Sequence, residues 1–252
     1  MTSSTGGTDS AGVPWEGRHF EQGASSDDDG SAPEKLVEAI RRFRAADLGE
    51  DDVLDALRDS RLLIPLVAQL GADGLTEHGH DKSQELSIVT VEGPDGRTVL
   101  PAFTSVAAMA RWNPSARPVP ATAGRVALAA ASEDTDLVVL DPLSDTEYVI
   151  RRPALWALAQ SRPWKPSYAD TEVLSAFMDA AEAEPSVVAV QLAPGDPGSR
   201  LAGPELIVQL SLAPGLDQAA LDALLARLQQ RWAESAVIAE RVDSLRVVLA
   251  ST

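Results

Sequence analysis

The sequence predicts an α+β protein: two small domains with mixed or antiparallel sheets and packed helices, behind a disordered acidic tail. Three observations carry this. From Ser31 onward, segments with helical apolar spacing alternate with short β-branched runs. A proline-rich stretch, Ser161 to Ser167 (SRPWKPS), resists both helix and central strand and marks a linker. The first thirty residues, ending in Ser25-Ser26-Asp27-Asp28-Asp29-Gly30, bury too little to offset the cost of ordering them. The expected units are a tail over 1–30, a first domain over 31–162 and a second over 168–252.

In the first domain, Ser31-Ala32-Pro33-Glu34 has the spacing of a capping box, and Leu36, Ile40 and Phe43 follow at helical spacing. A second helix covers Asp51 to Arg58. Residues 61–67 read as a strand in which Pro65, lacking an N–H, belongs on an edge or at a bulge. Leu86 to Val91 and Arg97 to Phe103 flank the turn cluster Gly93-Pro94-Asp95-Gly96 and predict a β-hairpin. Thr104 or Ser105 then caps a short helix. An extended ARPVP segment (116–120), a helix over 124–132, strands at 136–141 and 148–150, and a helix opening at Pro153 complete the domain.

In the second domain, Asp170 or Thr171 caps a helix through about Ala183. Strands follow at 187–192 and 205–212, joined by what reads as a flexible loop, APGDPGSRLAGP. Asp217 to Trp232 is the most regular helix of the chain, with Leu221, Leu224, Leu225 and Leu228 on one side, and a strand at 245–249 ends the unit. This α-β-β-α-β order predicts one sheet with helices on a single face.

The formal net charge of -17 disfavours nucleic acid, whose phosphates need clustered Lys and Arg. No apolar run approaches the length of a membrane span, and the N-terminus lacks the basic start and apolar core of a secretory signal, so cytoplasmic residence is the expectation. Cysteine is absent, which removes thiol nucleophiles. The histidines are not beside a framed serine, and GxSxG, GxxxxGK[ST] and GxGxxG do not occur. His78, His80 and Asp81 fall short of a metal ligand set. Neither a metal nor a cofactor is expected, and the reading is non-enzymatic.

The candidates left are binding residues. Thr104 and Ser105 open a helix whose first amides could receive an anion, with Arg111 or Arg117 near. Trp112 and Trp164, flanked by polar residues and proline, are expected to be exposed, whereas Trp156 is expected in the core. Aromatic side chains supply large contact area at low entropic cost. The face holding Phe103, Thr104, Ser105, Trp112, Arg117 and Trp164 is therefore expected to contact an unidentified protein partner. The alternative is a small-anion or amino-acid sensor at Thr104 and Ser105.

One resemblance bears on this. Leu62-Leu63-Ile64-Pro65, Lys82-Ser83, Gly93-Pro94-Asp95-Gly96-Arg97, Leu100-Pro101-Ala102-Phe103-Thr104-Ser105, Trp112, Arg117-Pro118-Val119-Pro120, Leu140-Asp141-Pro142 and Arg152-Pro153-Ala154-Leu155-Trp156 are similar to the SseB family of actinobacteria, named for enhanced serine sensitivity. The resemblance spans Asp52 to Trp164, and the segment from Thr171 to Thr252 more weakly resembles the SseB C-terminal domain. It implies an α+β bacterial cytoplasmic protein with no established catalytic residues, and at most a phenotype linked to serine.

Overall fold

A computed structural model describes residues 28–69 and 85–250. The expectations for the N-terminal tail up to residue 27, and for His78, His80 and Asp81, lie outside the described residues. The class is α+β, and Ser31–Thr252 form one compact unit.

Two helices open this unit, α1 (Glu34–Arg44) and α2 (Glu50–Arg58). The expected capping box does not form: α1 begins with Pro33 at the N-cap and no side-chain cap, because the helix starts too late for Ser31 to reach its first amides. Gly49 occupies the N-cap of α2, where Asp52 returns its carboxylate to the Gly49 amide. Leu36, Ile40, Val53, Leu54 and Leu57 turn inward from the two helices.

Strand β1 (Arg61–Gln69) is the centre of a three-stranded antiparallel sheet, between β2 (Glu85–Ile88) and β5 (Arg117–Thr122). Its proline has a positional reason. The amide and carbonyl of Leu63 both pair with Phe103, so residues 63, 65 and 67 direct their backbone groups to that edge. Pro65 sits where the neighbour along that edge changes, after the Phe103 bridge and before pairing with β2 begins at Leu66–Ile88. The missing N–H therefore leaves no gap in a ladder, though the strand itself is central rather than an edge. The same alternation points the nitrogens of Pro118 and Pro120 outward from β5, which blunts the exposed side of that sheet.

The predicted hairpin is shorter than its sequence suggests. Its first arm divides into β2, which joins β1, and β3 (Val91–Glu92), which alone pairs with β4 (Thr98–Ala102). The physical reason is the open edge of β1 beyond Pro65, which takes up residues 85–88. Gly96, at φ +80°, closes the turn. β4 continues into a four-stranded sheet, β3-β4-β6-β7, with β6 (Val138–Leu140) parallel to it and β7 (Tyr148–Ile150) antiparallel to β6. Helices α3 (Val106–Trp112), α4 (Ala123–Ser132) and α5 (Arg152–Ala159) complete this first lobe. Its largest apolar cluster joins α1, α2, α4 and α5 to β1, β4, β6 and β7.

The second lobe follows a single 3-10 turn (Ser167–Ala169). Its order is α6 (Thr171–Glu182), β8 (Val187–Pro194), β9 (Leu206–Leu212), α7 (Gln218–Glu234), α8 (Ala236–Arg241) and β10 (Leu245–Ala250). Asp170 caps α6 through the Glu172 amide, and Asp217 caps α7 through the Ala220 amide. The sheet order is β10-β9-β8, with β10 parallel and β8 antiparallel to β9. Leu206, Val208 and Leu210 face Phe177, Leu224, Leu228 and Trp232 in a separate apolar cluster. Helix α8 is an addition to the expected order: Ser235 ends α7 and caps the new helix through the Ile238 amide.

The 193–204 connection, expected to be flexible, is an ordered clasp on the first lobe. Leu201 is 5% exposed and packs with Val99, Leu137, Val139 and Val149, and the Ser199 carbonyl accepts the Val149 amide of β7 at 2.8 Å. Asp196 ties its own loop by accepting the amides of Arg200 and Leu201. Two glycines let the clasp's neck close. A Cβ on Gly195 would stand 2.3 Å from the Pro204 carbonyl oxygen, and one on Gly203 would stand 2.6 Å from that of Gly195. Glycine and proline suggested mobility; buried contacts and neck closure give order instead.

Candidate functional site

β4 delivers Phe103, Thr104 and Ser105 to the first turn of α3, but not to a surface. Phe103 is fully buried, its ring 5.3 Å from that of Trp112 at a tilt of 44°, and packed with Leu63, Ala108 and Met109. The expectation that Phe103 lines a contact face is corrected here, and Trp112 is the partly exposed lid over it. Thr104 is also buried. Its amide donates to one oxygen of Asp141 at 2.8 Å and its hydroxyl to the other at 2.6 Å. Thr146 adds a third hydrogen bond to that carboxylate. The anion expected at this helix start is thus the protein's own: Asp141, 1% exposed, supplies it. Ser105, not Thr104, caps the helix, through the Ala108 amide. Arg117 stands exposed on β5, and Arg61 is the arginine that reaches the Thr104 carbonyl.

Among the described residues, a more concave and aromatic region lies where the lobes meet. A cleft of about 500 Å³ runs between α2, α5, the connecting segment 160–165 and the starts of α6 and the end of α8. Asp51 and Asp55, four apart on α2 and so on one helix face, form one wall; Pro153 and Trp156 of α5, Trp164 and Glu240 line the rest. Trp156 is the finding that reverses expectation, since 45% of it is exposed. Its neighbours Leu155 and Leu158 take the core side of α5, so the residue between them faces out. Arg152, one turn earlier, lies 5.1 Å over the indole while donating to the carbonyls of Ala239 and Val242 at 2.8 Å. That pins α5 to α8 and sets a cation over the ring. Trp164 is partly buried against the first core. Across the cleft, Arg241 is engaged by Asp170 and Glu172.

Behind the cleft is a polar junction between the lobes. Arg151, 6% exposed, pairs with Asp196 at 2.7 Å and Asp243 at 3.1 Å and donates to the Gly203 carbonyl. Arg97 reaches the same Asp243 at 3.0 Å from the hairpin turn. Glu205 accepts the Asp243 amide at 2.6 Å, and burial raises its carboxyl above the ordinary range despite that bond. Glu50, first residue of α2, takes a hydrogen bond from Tyr168 at 3.3 Å. Burial, and then the charge of Glu205, push Glu50 up to about 7. Tyr168 and Tyr148 are also raised, by burial first and then by Glu50. Sequence reading missed this set because its members are far apart in the chain and none belongs to a spaced motif. Arg151 alone carried a signal, as a charged residue directly after a buried strand.

Residues 36–157 match the SseB protein N-terminal domain. Over this segment the chain belongs to the SseB family. The SseB domain so defined begins within α1 and ends within α5, and holds every strand of the first lobe. Trp156, Asp51, Asp55, Arg97 and Arg151 are SseB-domain residues; Trp164, Glu205, Asp243 and the rest of the second lobe lie outside the matched span. Comparison with curated proteins and with solved structures gives no match to the chain. Among the described residues no cluster of three or more His, Cys, Asp or Glu side chains could hold a metal ion, and no helix is long and apolar enough to cross a membrane.

Proposed function

We propose that this protein is a non-enzymatic, cytoplasmic binding module that takes a segment of a partner protein into the cleft between α2, α5 and α8, with Trp156 and Trp164 as its anchors. The observation that carries the reading is the exposed indole of Trp156, with the Arg152 guanidinium 5.1 Å over its ring. An exposed aromatic ring under a cation, in a cleft that Pro153 and Pro163 also line, offers large contact area at low entropic cost on binding. The cleft size is that of a recognition site, and both lobes contribute to it. The alternative, an anion or amino-acid sensor at Thr104 and Ser105, has no comparable support, because Asp141 already takes the Thr104 amide and hydroxyl.

The test is affinity capture from the native cell using wild type, Trp156→Ala and Trp164→Ala proteins of matched circular dichroism. Capture of a reproducible partner that both variants lose supports the reading; a partner retained by both, or none, refutes it.

A further inference from the structure

Strand β10 (Leu245–Ala250) forms one edge of the second lobe's sheet, and the protein leaves that edge unguarded. Exposed edges normally carry charge, proline or a bulge that blocks further pairing. Three other edges are treated in this way. The clasp covers β7, where the Ser199 carbonyl takes the Val149 amide; Pro118 and Pro120 blunt β5; a bulge between Val187 and Ala189 bends β8, which ends in Pro194. Along β10 there is no proline, no bulge and no carboxylate, and Arg246 is the one charge. Val248 and Leu249 are 41% and 43% exposed.

One hydrogen bond fixes the direction of the free backbone groups. The Ser244 carbonyl accepts the Leu206 amide, so the even-numbered residues of β10 turn their amides and carbonyls to β9. Leu245, Val247 and Leu249 therefore present theirs to the open side. Their side chains share the face that packs on the helices. Leu245 and Val247 border the second apolar cluster, whereas Leu249, in register with buried Leu210, remains exposed.

The geometry points to a second copy of this chain as the occupant of this edge: β10 pairs antiparallel with β10 of another copy across a twofold axis at Val247, giving a reversible homodimer. In that register Val247 stands opposite Val247, and Leu245 opposite Leu249 of the second copy. Each outward amide meets an outward carbonyl, and the exposed Leu249 is covered beside the other copy's Leu245, which joins the two apolar clusters. Charge fits this occupant. Two copies at a net charge of -17 repel each other overall, but the strands that meet carry no acid. Arg246 lies opposite Val248 of the second copy, so no like charges are directly opposed. Area sets the strength. The 6 residues of β10, at ~3.3 Å each, make an edge only ~20 Å long, which places the dimer at the low end of specific interfaces, ~1,200 Å² or less in total, where association is weak. The edge lies outside the cleft, so this dimer and the binding reading stand or fall separately.

The experiment is sedimentation velocity of the full chain from about 1 to about 200 μM, the range of weak dimers. Wild type is expected to shift from monomer to dimer, and Leu249→Lys, a charge of the kind that guards natural edges, to stay monomeric with unchanged circular dichroism. A wild type that is monomeric throughout, its edge free or kept for a different strand, overturns the inference, and so does a dimer that Leu249→Lys leaves intact. The chain has no cysteine, so Val247→Cys supplies a single thiol whose Cα lies ~5.5 Å from that of its copy, within disulfide reach. Val248→Cys, though at an exposed position, stands ~7–8 Å from its own copy and beyond that reach. Oxidation should crosslink the first variant and not the second. A crosslink that fails at 247, or forms as fast at 248, overturns the register and with it the dimer.

Discussion

Thr104 gives both its amide and its hydroxyl to one carboxylate, that of Asp141, at 2.8 and 2.6 Å. Both residues are buried, and the pair ties the end of β4 to the segment after β6. Hydrogen bonds to a charged group contribute roughly 1.5–3 kcal/mol each. Thr104→Val should therefore lower stability by about 1.5–3 kcal/mol in urea titration, while partner capture by the folded fraction is unchanged. A binding defect without a stability defect would return this helix start to the list of sites.

Arg151 neutralises two buried carboxylates at once. Truncating one member of a buried ion pair leaves uncompensated charge and costs about 3–5 kcal/mol. Arg151→Ala is expected to lose that much stability, and a double variant with Asp196→Asn should recover part of it. Recovery would show coupling through the pair; strict additivity would show none.

The clasp depends on the crossing of Gly195 and Gly203. Gly195→Ala places a methyl 2.3 Å from a backbone carbonyl oxygen, which no side-chain movement relieves. The expected outcome is a loss of about 1–3 kcal/mol, read most directly as lost hydrogen-exchange protection at the Val149 amide, whose acceptor is Ser199. Unchanged protection there would mean the clasp tolerates the added atom.

Glu184 predicts the acid side of the stability profile. Hydrogen bonding and charge from Arg227, with Arg231 beside it, hold its carboxyl below the ordinary value of 4.5. A depressed carboxylate stabilises the fold above its unfolded value, and that contribution disappears as pH falls through the folded value. Arg227→Ala should thus raise the pH at which acid unfolding begins. Glu50 acts in the opposite sense between 4.5 and about 7: its raised carboxyl favours the fold at the acid end and the contribution fades as pH rises. Stability is expected to peak between the two effects.

Element order was legible because apolar period and turn residues act locally. Leu221, Leu224 and Leu228 mark α7, and Asp217 its cap, with no knowledge of neighbours. The failures are all tertiary. Ile88 and Val91 look like one strand until β1 offers an open edge to the first. Trp156 looks like core because it lies between Leu155 and Leu158, although helical geometry turns it outward. The loop 193–204 reads as mobile from its glycines and prolines, whereas Leu201 and Asp196 find buried partners on a different part of the chain. The candidate site shared this fate. Trp164 was visible as a tryptophan between prolines, but the cleft exists only where α2, α5 and α8 meet.

The most direct measurement places a photo-crosslinking residue at Gln160, inside the cleft, and separately at Arg111, exposed on α3 beside the Thr104 helix start. The account predicts that the native partner is crosslinked from position 160 and not from position 111, and that Trp156→Ala abolishes the product. Crosslinking from position 111 alone, or a product at 160 that survives Trp156→Ala, would contradict it.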